Sequence, residues 1–194
     1  NTPIRDHAAP SDVKPVCLIA IEDHIRPEAP EIIEWFKQND VEVKIISGDN
    51  PVTVSEVARR VGVKDAEKYI SLDGMSAQQV EEAASKYTVF GRVSPEQKCV
   101  LIKALKHKGK NVAMTGDGVN DILAMHEADC AIAMGTGSDA AKNVCHLLLT
   151  DSSFSALPLV VKEGRRVVNN VQSSSALYLM KTFMSIVLSI ISVV

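Results

Sequence analysis

Thr115-Gly116-Asp117-Gly118-Val119-Asn120-Asp121 follows directly on the short apolar run Val112 to Met114. A strand that empties into two glycines, two carboxylates and an amide brings oxygen ligands to one strand end. Glycine lets the backbone turn tightly and approach a ligand closely. Asp117 and Asp121, four residues apart with Asn120 between them, suit a hard divalent cation. Mg²⁺ takes oxygen ligands in octahedral geometry, and one or two carboxylates plus substrate phosphate often suffice. Any one Asp-Gly is ordinary surface-turn chemistry. Six such residues in a stretch of seven, with matching polar stretches after other strands, favour a ligand site.

Working outward, apolar runs alternate with helical patterns at short, regular spacing. The strand candidates are Val16 to Ile21, Val41 to Ile46, Tyr69 to Leu72, Thr88 to Phe90, Val112 to Met114, Cys130 to Met134 and His146 to Leu149. Pro27 opens a helix reaching about Lys37, with Ile32, Ile33 and Phe36 on one side. Pro51 opens another, in which Val54, Val57, Ala58 and Val61 form a stripe that Gly62 ends. Ser76 with Gln79, and Ser94 with Gln97, are capping-box pairs that start two more. This alternation predicts an α/β fold, a Rossmann-like parallel sheet built from five or six of these seven segments, with flanking helices. Ligands in such sheets bind at the C-terminal strand ends. Ser47-Gly48-Asp49, Arg92 to Lys98 and Gly116 to Asp121 all fall there and are expected on one rim.

Each of these stretches has an ordinary alternative. Ser-Gly-Asp is common turn chemistry, yet the Ser47 hydroxyl and the Gly48 N–H can also donate to a phosphoryl oxygen. Lys98, one turn into a capped helix, is either a solvated lysine or the ammonium that neutralises charge on a transferring phosphoryl group. Arg92 serves the same rim or pairs with a carboxylate. Asp23 and Arg26 form a rim charge pair or helix cap, or connect phosphate chemistry to a hinge. Gly135-Thr136-Gly137 reads as a structural turn, since no Gly-x-x-x-x-Gly-Lys-Ser/Thr occurs. The five histidines show no ligand spacing, and Met114, Met125 and Met134 read as core filler. Trp35 is expected to cover the sheet or an edge of the helix layer. Cys17, Cys99, Cys130 and Cys145 lack paired short spacing, which predicts buried thiols in a reducing compartment. Lys and Arg number 21 against 24 Asp and Glu, a net charge of −3 that argues against nucleic acid as a partner.

From Phe154 the texture changes. Leu157, Val160, Val161, Gly164, Val167, Val168 and Val171 recur at helical spacing. An apolar run from Leu177 to Val194 then holds 18 residues with Lys181 as its one charge. That length is at the lower edge for a membrane span; Lys181 either snorkels or lines a polar path. The chain opens on Asn-Thr-Pro and stops within the apolar run, so it is expected to be cut at both ends.

Taken together, these motifs resemble the P-type ATPases of the haloacid dehalogenase superfamily over about residues 14–194. Thr115 to Asp121 matches the family's hinge motif residue by residue, and Val93-Ser94-Pro95-Glu96-Gln97-Lys98 matches its Pro-x-x-Lys segment. Ser47-Gly48-Asp49 corresponds to Thr-Gly-Asp with Ser for Thr. Asp23-His24-Ile25-Arg26 corresponds to Asp-Pro-Pro-Arg with both prolines replaced, and Asn169-Asn170 resembles the Asn-Asn that precedes the fifth transmembrane helix.

The resemblance implies that Asp117 holds Mg²⁺ with Asp121 in the metal shell. Asn120 and Asp121 would support the phosphoryl group, and Ser47, Gly48, Asp49 and Lys98 would complete the phosphate site. Asp23 and Arg26 would lie near ATP or at the hinge to the nucleotide-binding domain, with Arg92 also toward ATP. It further implies a linker over 1–14, a partial phosphorylation domain over 15–153, a stalk helix over 154–176 and a partial transmembrane helix over 177–194. The parent would be a multi-pass membrane pump with residues 1–176 on the cytoplasmic side. Its partners would be ATP, a transported cation, the bilayer and upstream actuator, nucleotide-binding and transmembrane parts. No Asp-Lys-Thr-Gly-Thr occurs in the chain, so the phosphorylated aspartate is expected outside it and the segment alone is expected to lack turnover. The rivals are a soluble phosphatase of the same superfamily, which has no use for Leu177 to Val194, and a non-catalytic truncated module.

Overall fold

A computed structural model describes residues 25–151 and 153–193. Asp23 and the expected strand over Val16 to Ile21 lie outside the described residues. The elements run α1 (Ala29–Gln38), β1 (Ile45–Ile46), α2 (Pro51–Arg60), β2 (Tyr69–Ser71), α3 (Ala77–Ala83), β3 (Val89–Gly91), α4 (Pro95–His107) and β4 (Ala113–Gly116). A 3-10 turn (Val119–Asp121) leads into α5 (Ile122–Glu127). Then come β5 (Cys130–Met134), α6 (Asp139–Val144), β6 (Leu147–Leu149), a second 3-10 turn (Phe154–Ala156) and α7 (Leu157–Val193).

The strands are parallel, as the alternation predicts, but among the described residues they pair as two three-stranded sheets. One has the order β1-β3-β2 and the other β4-β5-β6. In the first, Ile45 faces Val89 and Tyr69 faces the same residue from the other side. In the second, Met114 faces Ala131 and Ala133 faces Leu148. Helix α4 spans both halves. Leu101 and Ala104 pack with Phe90, Leu72 and Val80 in one core, while Ile102 packs with Met114, Ala124 and Met125 in the other. Leu101 and Phe90 are each 1 % exposed, so this junction is dry.

Local chemistry explains most element ends. Both capping boxes form: the Ser76 and Ser94 hydroxyls accept from the N–H groups of Gln79 and Gln97, whose side chains accept from the Ser76 and Ser94 N–H groups. Asn50 caps α2 by accepting from the Val52 N–H. The expected strand from Val41 shrinks to two residues because its first N–H is used elsewhere. Val41 donates to the Phe36 carbonyl at the end of α1, and pairing begins only at Ile45, whose N–H donates to the Thr88 carbonyl just before β3. Lys44 bonds the Tyr87 carbonyl and pairs with Glu42, at 2.8 Å in each case.

Cys99, Cys130 and Cys145 are free and half-buried rather than fully buried. Trp35 stands edge-on to Phe36 and turns toward α7, at an edge of the helix layer. Helix α7 is continuous across residues 176 and 177, where a stalk-to-membrane boundary is expected. Its first turn is anchored by Leu157, which packs with Ile132, Leu149, Phe36 and Phe154. Beyond that turn nearly every residue is exposed. Phe154–Ser192 is the one stretch among the described residues long and apolar enough to cross a membrane, with a mean hydropathy of 1.6 in its most apolar window and none of that window buried.

Candidate functional site

Parallel pairing sends every C-terminal strand end of a sheet to the same side. Ser47 leaves β1, Arg92 leaves β3, Asp117 leaves β4 and Gly135 leaves β5. Backbone bonds join the first two loops: the Arg92 N–H donates to the Asp49 carbonyl at 2.9 Å, and the Val93 N–H to the Ser47 carbonyl at 3.1 Å. The Ser47 hydroxyl donates to the Asp49 carboxylate and accepts from the Asp49 N–H, both at 3.1 Å. This closed turn leaves Gly48 exposed, with open space where a side chain would stand. Arg92 sits at φ +52°, a left-handed conformation costly for a non-glycine residue. It holds its N–H on Asp49 while its side chain is exposed at the rim.

The two halves meet through a charge pair. Lys98 Nζ lies 2.7 Å from Asp121 Oδ1, and the two side chains are 13 % and 12 % exposed. Lys98 is delivered by the first turn of α4, which the Ser94–Gln97 box fixes. Gln97 also donates to the Leu72 and Met75 carbonyls, tying that turn to the loop after β2. Asp121 is delivered by the 3-10 turn, where its second carboxylate oxygen accepts from the Gly118 N–H at 3.4 Å. Gly116 makes this possible, because a Cβ there would come 2.5 Å from the Asp121 Cβ. Glu96, beside Lys98, is held below the usual carboxylate range by its own backbone N–H and the Ser94 hydroxyl.

Asp117 and Asn120 are exposed on the outer side of this loop. The Asp117 carbonyl accepts from the Ser138 N–H at 2.8 Å, and a Cβ on Gly137 would come 2.8 Å from that oxygen. The Gly135-Thr136-Gly137 turn, read from sequence as structural, thus lies against the backbone of Asp117. Nothing in the local sequence signals that long-range contact.

The structure therefore links Asp49 to Arg92 and Ser47 to Val93, Lys98 to Asp121, and Asp117 to the 137–138 turn. Asn120 shares the loop of Asp117. Arg26 lies at the approach to α1, its carbonyl accepting from the Ala29 N–H. Among the described residues no group of three or more His, Cys, Asp or Glu forms a self-sufficient metal cage. The donor set instead fits a cation that takes a minority of its ligands from protein. Asp117 supplies an exposed hard oxygen, while the Asp121 carboxylate is engaged by Lys98 and Gly118.

A family model described as haloacid dehalogenase-like hydrolase matches residues 2–129. The chain belongs to that family. The curated relatives it is similar to are cation-transporting ATPases. It is 43 % identical over 184 residues to a probable cation-transporting ATPase of Streptococcus pneumoniae, covering 95 % of this chain and 24 % of the relative. It is 43 % identical over 187 residues to the calcium-transporting ATPase CtpE of Mycobacterium tuberculosis, covering 96 % and 24 %. The chain thus spans about a quarter of the length of the curated relatives it matches. Among solved structures, a zinc-transporting PIB-type ATPase in its E2.Pi state aligns with TM-score 0.62 and 25 % identity, over 78 % of this chain and 21 % of that one. The catalytic domain of the CPx-ATPase CopB-B aligns with TM-score 0.55 and 29 % identity, over 71 % and 45 %.

Proposed function

We propose that this chain is the phosphate-handling half of an ATP-driven cation pump together with the helix that carries its motion into the bilayer. The parent protein cycles through an aspartyl phosphate on a residue outside these 194 positions. It is multi-pass, with residues 1–176 on the cytoplasmic side. The observation that carries this is the Lys98–Asp121 pair, which sits largely out of water where the C-terminal ends of both sheets converge.

Lys98 is the group that receives the phosphoryl oxygens. Its ammonium is already desolvated and aimed by Asp121, so little reorganisation is needed when a second anion arrives. The Gly48 N–H adds a donor from the other half, and the Ser47 hydroxyl joins it by exchanging its bond to the Asp49 carboxylate for one to a phosphoryl oxygen. Asp117, with support from Asn120 and Asp121, holds Mg²⁺. When bound, the metal neutralises charge on the phosphoryl oxygens. Arg92, fixed in its unusual backbone conformation, and Arg26 with Asp23 serve the nucleotide side. A soluble phosphatase would share the rim chemistry, but it gives no account of the uncovered apolar helix α7. Ca²⁺ is the first cargo ion to test, given the calcium-transporting relative.

The test is a titration of the whole chain, in detergent micelles, with Mg²⁺ plus orthophosphate, read by backbone amide NMR shifts. Residues 47–49, 92 and 116–121 are expected to move together and saturably. Asp117→Ala should remove the Mg²⁺ dependence, and Lys98→Ala the phosphate dependence. Shifts scattered over the surface, or unchanged in both variants, would refute the assignment.

A further inference from the structure

The 134–138 turn does more than end β5. Its own closure needs only the Gly137 N–H, which donates to the Met134 carbonyl at 2.9 Å. Two further contacts pin it to its neighbours. Toward β6, the Gly135 N–H donates to the Leu149 carbonyl at 2.7 Å, and a Cβ on Gly135 would overlap the Thr150 carbonyl oxygen. Toward β4, whose ladder with β5 ends where Gly116 pairs with Ala133, the Ser138 N–H donates to the Asp117 carbonyl at 2.8 Å. A Cβ on Gly137 would come 2.8 Å from that oxygen and 3.0 Å from the Asp117 Cα. Gly137 has no left-handed φ, so glycine supplies room here and not a backbone conformation. Behind the turn, Ser138 caps α6 by accepting from the Ala141 N–H at 3.2 Å, and Ala141 is fully buried with Ala124, Met125 and Ala133. The Asp117 side chain is exposed and, among the described residues, makes no hydrogen bond or ion pair of its own, so the backbone beneath it does the aiming.

We infer that Gly137 and Ser138 are positioning residues that make the Asp117 site selective for Mg²⁺ over Ca²⁺. Mg²⁺ demands near-ideal octahedral oxygens at about 2.0–2.1 Å, whereas Ca²⁺ accepts irregular sets of about six to eight at roughly 2.3–2.6 Å. A carboxylate on a loosely held loop follows the ion and serves the larger one equally well. A carboxylate on a backbone fixed against two neighbouring segments is offered in one place. Groups that hold a metal ligand in position are worth about 10–100-fold in metal affinity. This inference deepens the pump reading and rests on it for Mg²⁺ at Asp117. Should the cargo be Ca²⁺, the same turn keeps it off the rim.

The whole chain in detergent micelles is titrated separately with MgCl₂ and CaCl₂, without phosphate, and read by the amide NMR shifts of residues 116–121. Each titration runs to about 20 mM, well above the roughly 1 mM of the weakest Ca²⁺ modules. Gly137→Ala, whose Cβ pushes on the Asp117 carbonyl, should weaken Mg²⁺ about tenfold and Ca²⁺ less than about threefold. Ser138→Pro removes the N–H at a residue whose φ of −64° already suits proline, and should shift the Mg²⁺-to-Ca²⁺ ratio the same way. Where Gly137→Ala unfolds the domain, Ser138→Pro decides. Ser55→Ala deletes a buried bond to the Ala66 carbonyl in the other half, so it lowers stability and should leave the ratio unchanged. An unchanged ratio in the folded turn variants, or equal losses for both ions, overturns this inference alone, provided that the wild-type response needs Asp117. A wild-type chain that binds neither ion, or an Asp117→Ala variant that binds both as well, overturns the metal reading of the rim and this inference with it.

Discussion

Removing one member of the Lys98–Asp121 pair should destabilise the domain well beyond a surface ion-pair loss. An exposed pair contributes about 0–1 kcal/mol, while stripping the partner from a fully buried charge costs about 3–5 kcal/mol. These side chains are 13 % and 12 % exposed, which places them nearer the second case. Asp121→Ala also frees the Gly118 N–H. A loss of about 2–3 kcal/mol follows, a Tm drop of roughly 4–12 °C for a domain of this size. Lys98→Met leaves the Asp121 carboxylate its Gly118 partner, so it should cost somewhat less. The assay is urea denaturation in detergent micelles, followed by Trp35 emission, on both single variants and the Lys98→Met/Asp121→Ala double. The double variant carries no orphaned charge and should recover a coupling energy above about 1 kcal/mol. A coupling below about 0.5 kcal/mol would show that water already screens the pair, and the argument for a desolvated phosphate-ready lysine would fail with it.

Gly116→Ala should have a related effect by a different route. Its Cβ would meet the Asp121 Cβ at 2.5 Å, so a loss of about 1–3 kcal/mol and loss of phosphate-induced shifts are expected; an unperturbed variant would contradict the packing. Ser94→Ala removes the hydroxyl that caps α4 and should cost about 1 kcal/mol, with weaker phosphate binding because Lys98 sits on that first turn. Asp129 is held below the usual aspartate value by the Val112 N–H first and by Lys106 next. A depressed folded-state carboxylate stabilises above the unfolded value of about 3.9 and loses that contribution as pH falls through the folded value. Asp129→Asn should therefore flatten the acid limb of a stability curve below about pH 4, and melts at stepped pH will show whether it does. Truncation before Leu177 should abolish partitioning into phospholipid vesicles, measured by flotation; a truncated chain that still floats would deny the α7 span its role.

Residues that act on their neighbours were legible from sequence. The apolar run Cys130–Met134 is the strand β5 without a shift at either end. The Ser-x-x-Gln pairs at 76 and 94 start helices with both reciprocal bonds made. Periodicity put Ala58 and Ile32 on apolar helix stripes, and both are buried. What escaped depended on contacts between distant segments. Val41 leaves its strand because its N–H goes to the end of α1. Trp35 faces α7, some 120 residues on, which no local pattern encodes. The six described strands divide into two sheets bridged by α4, although their spacing gives no sign of the division.

The sequence by itself determined the alternation of strands and helices, the chemistry gathered after each strand, and the long apolar helix, because backbone propensity, capping and hydropathy are local properties. Only the tertiary structure decided that Lys98 and Asp121 share one charge site, that the 137–138 turn holds the Asp117 backbone, and that Asn39 meets Arg165. Each of those rests on where parallel strand ends and packed helices bring the chain back on itself, and desolvation at the point of return, rather than residue type, fixes the strength of the contact.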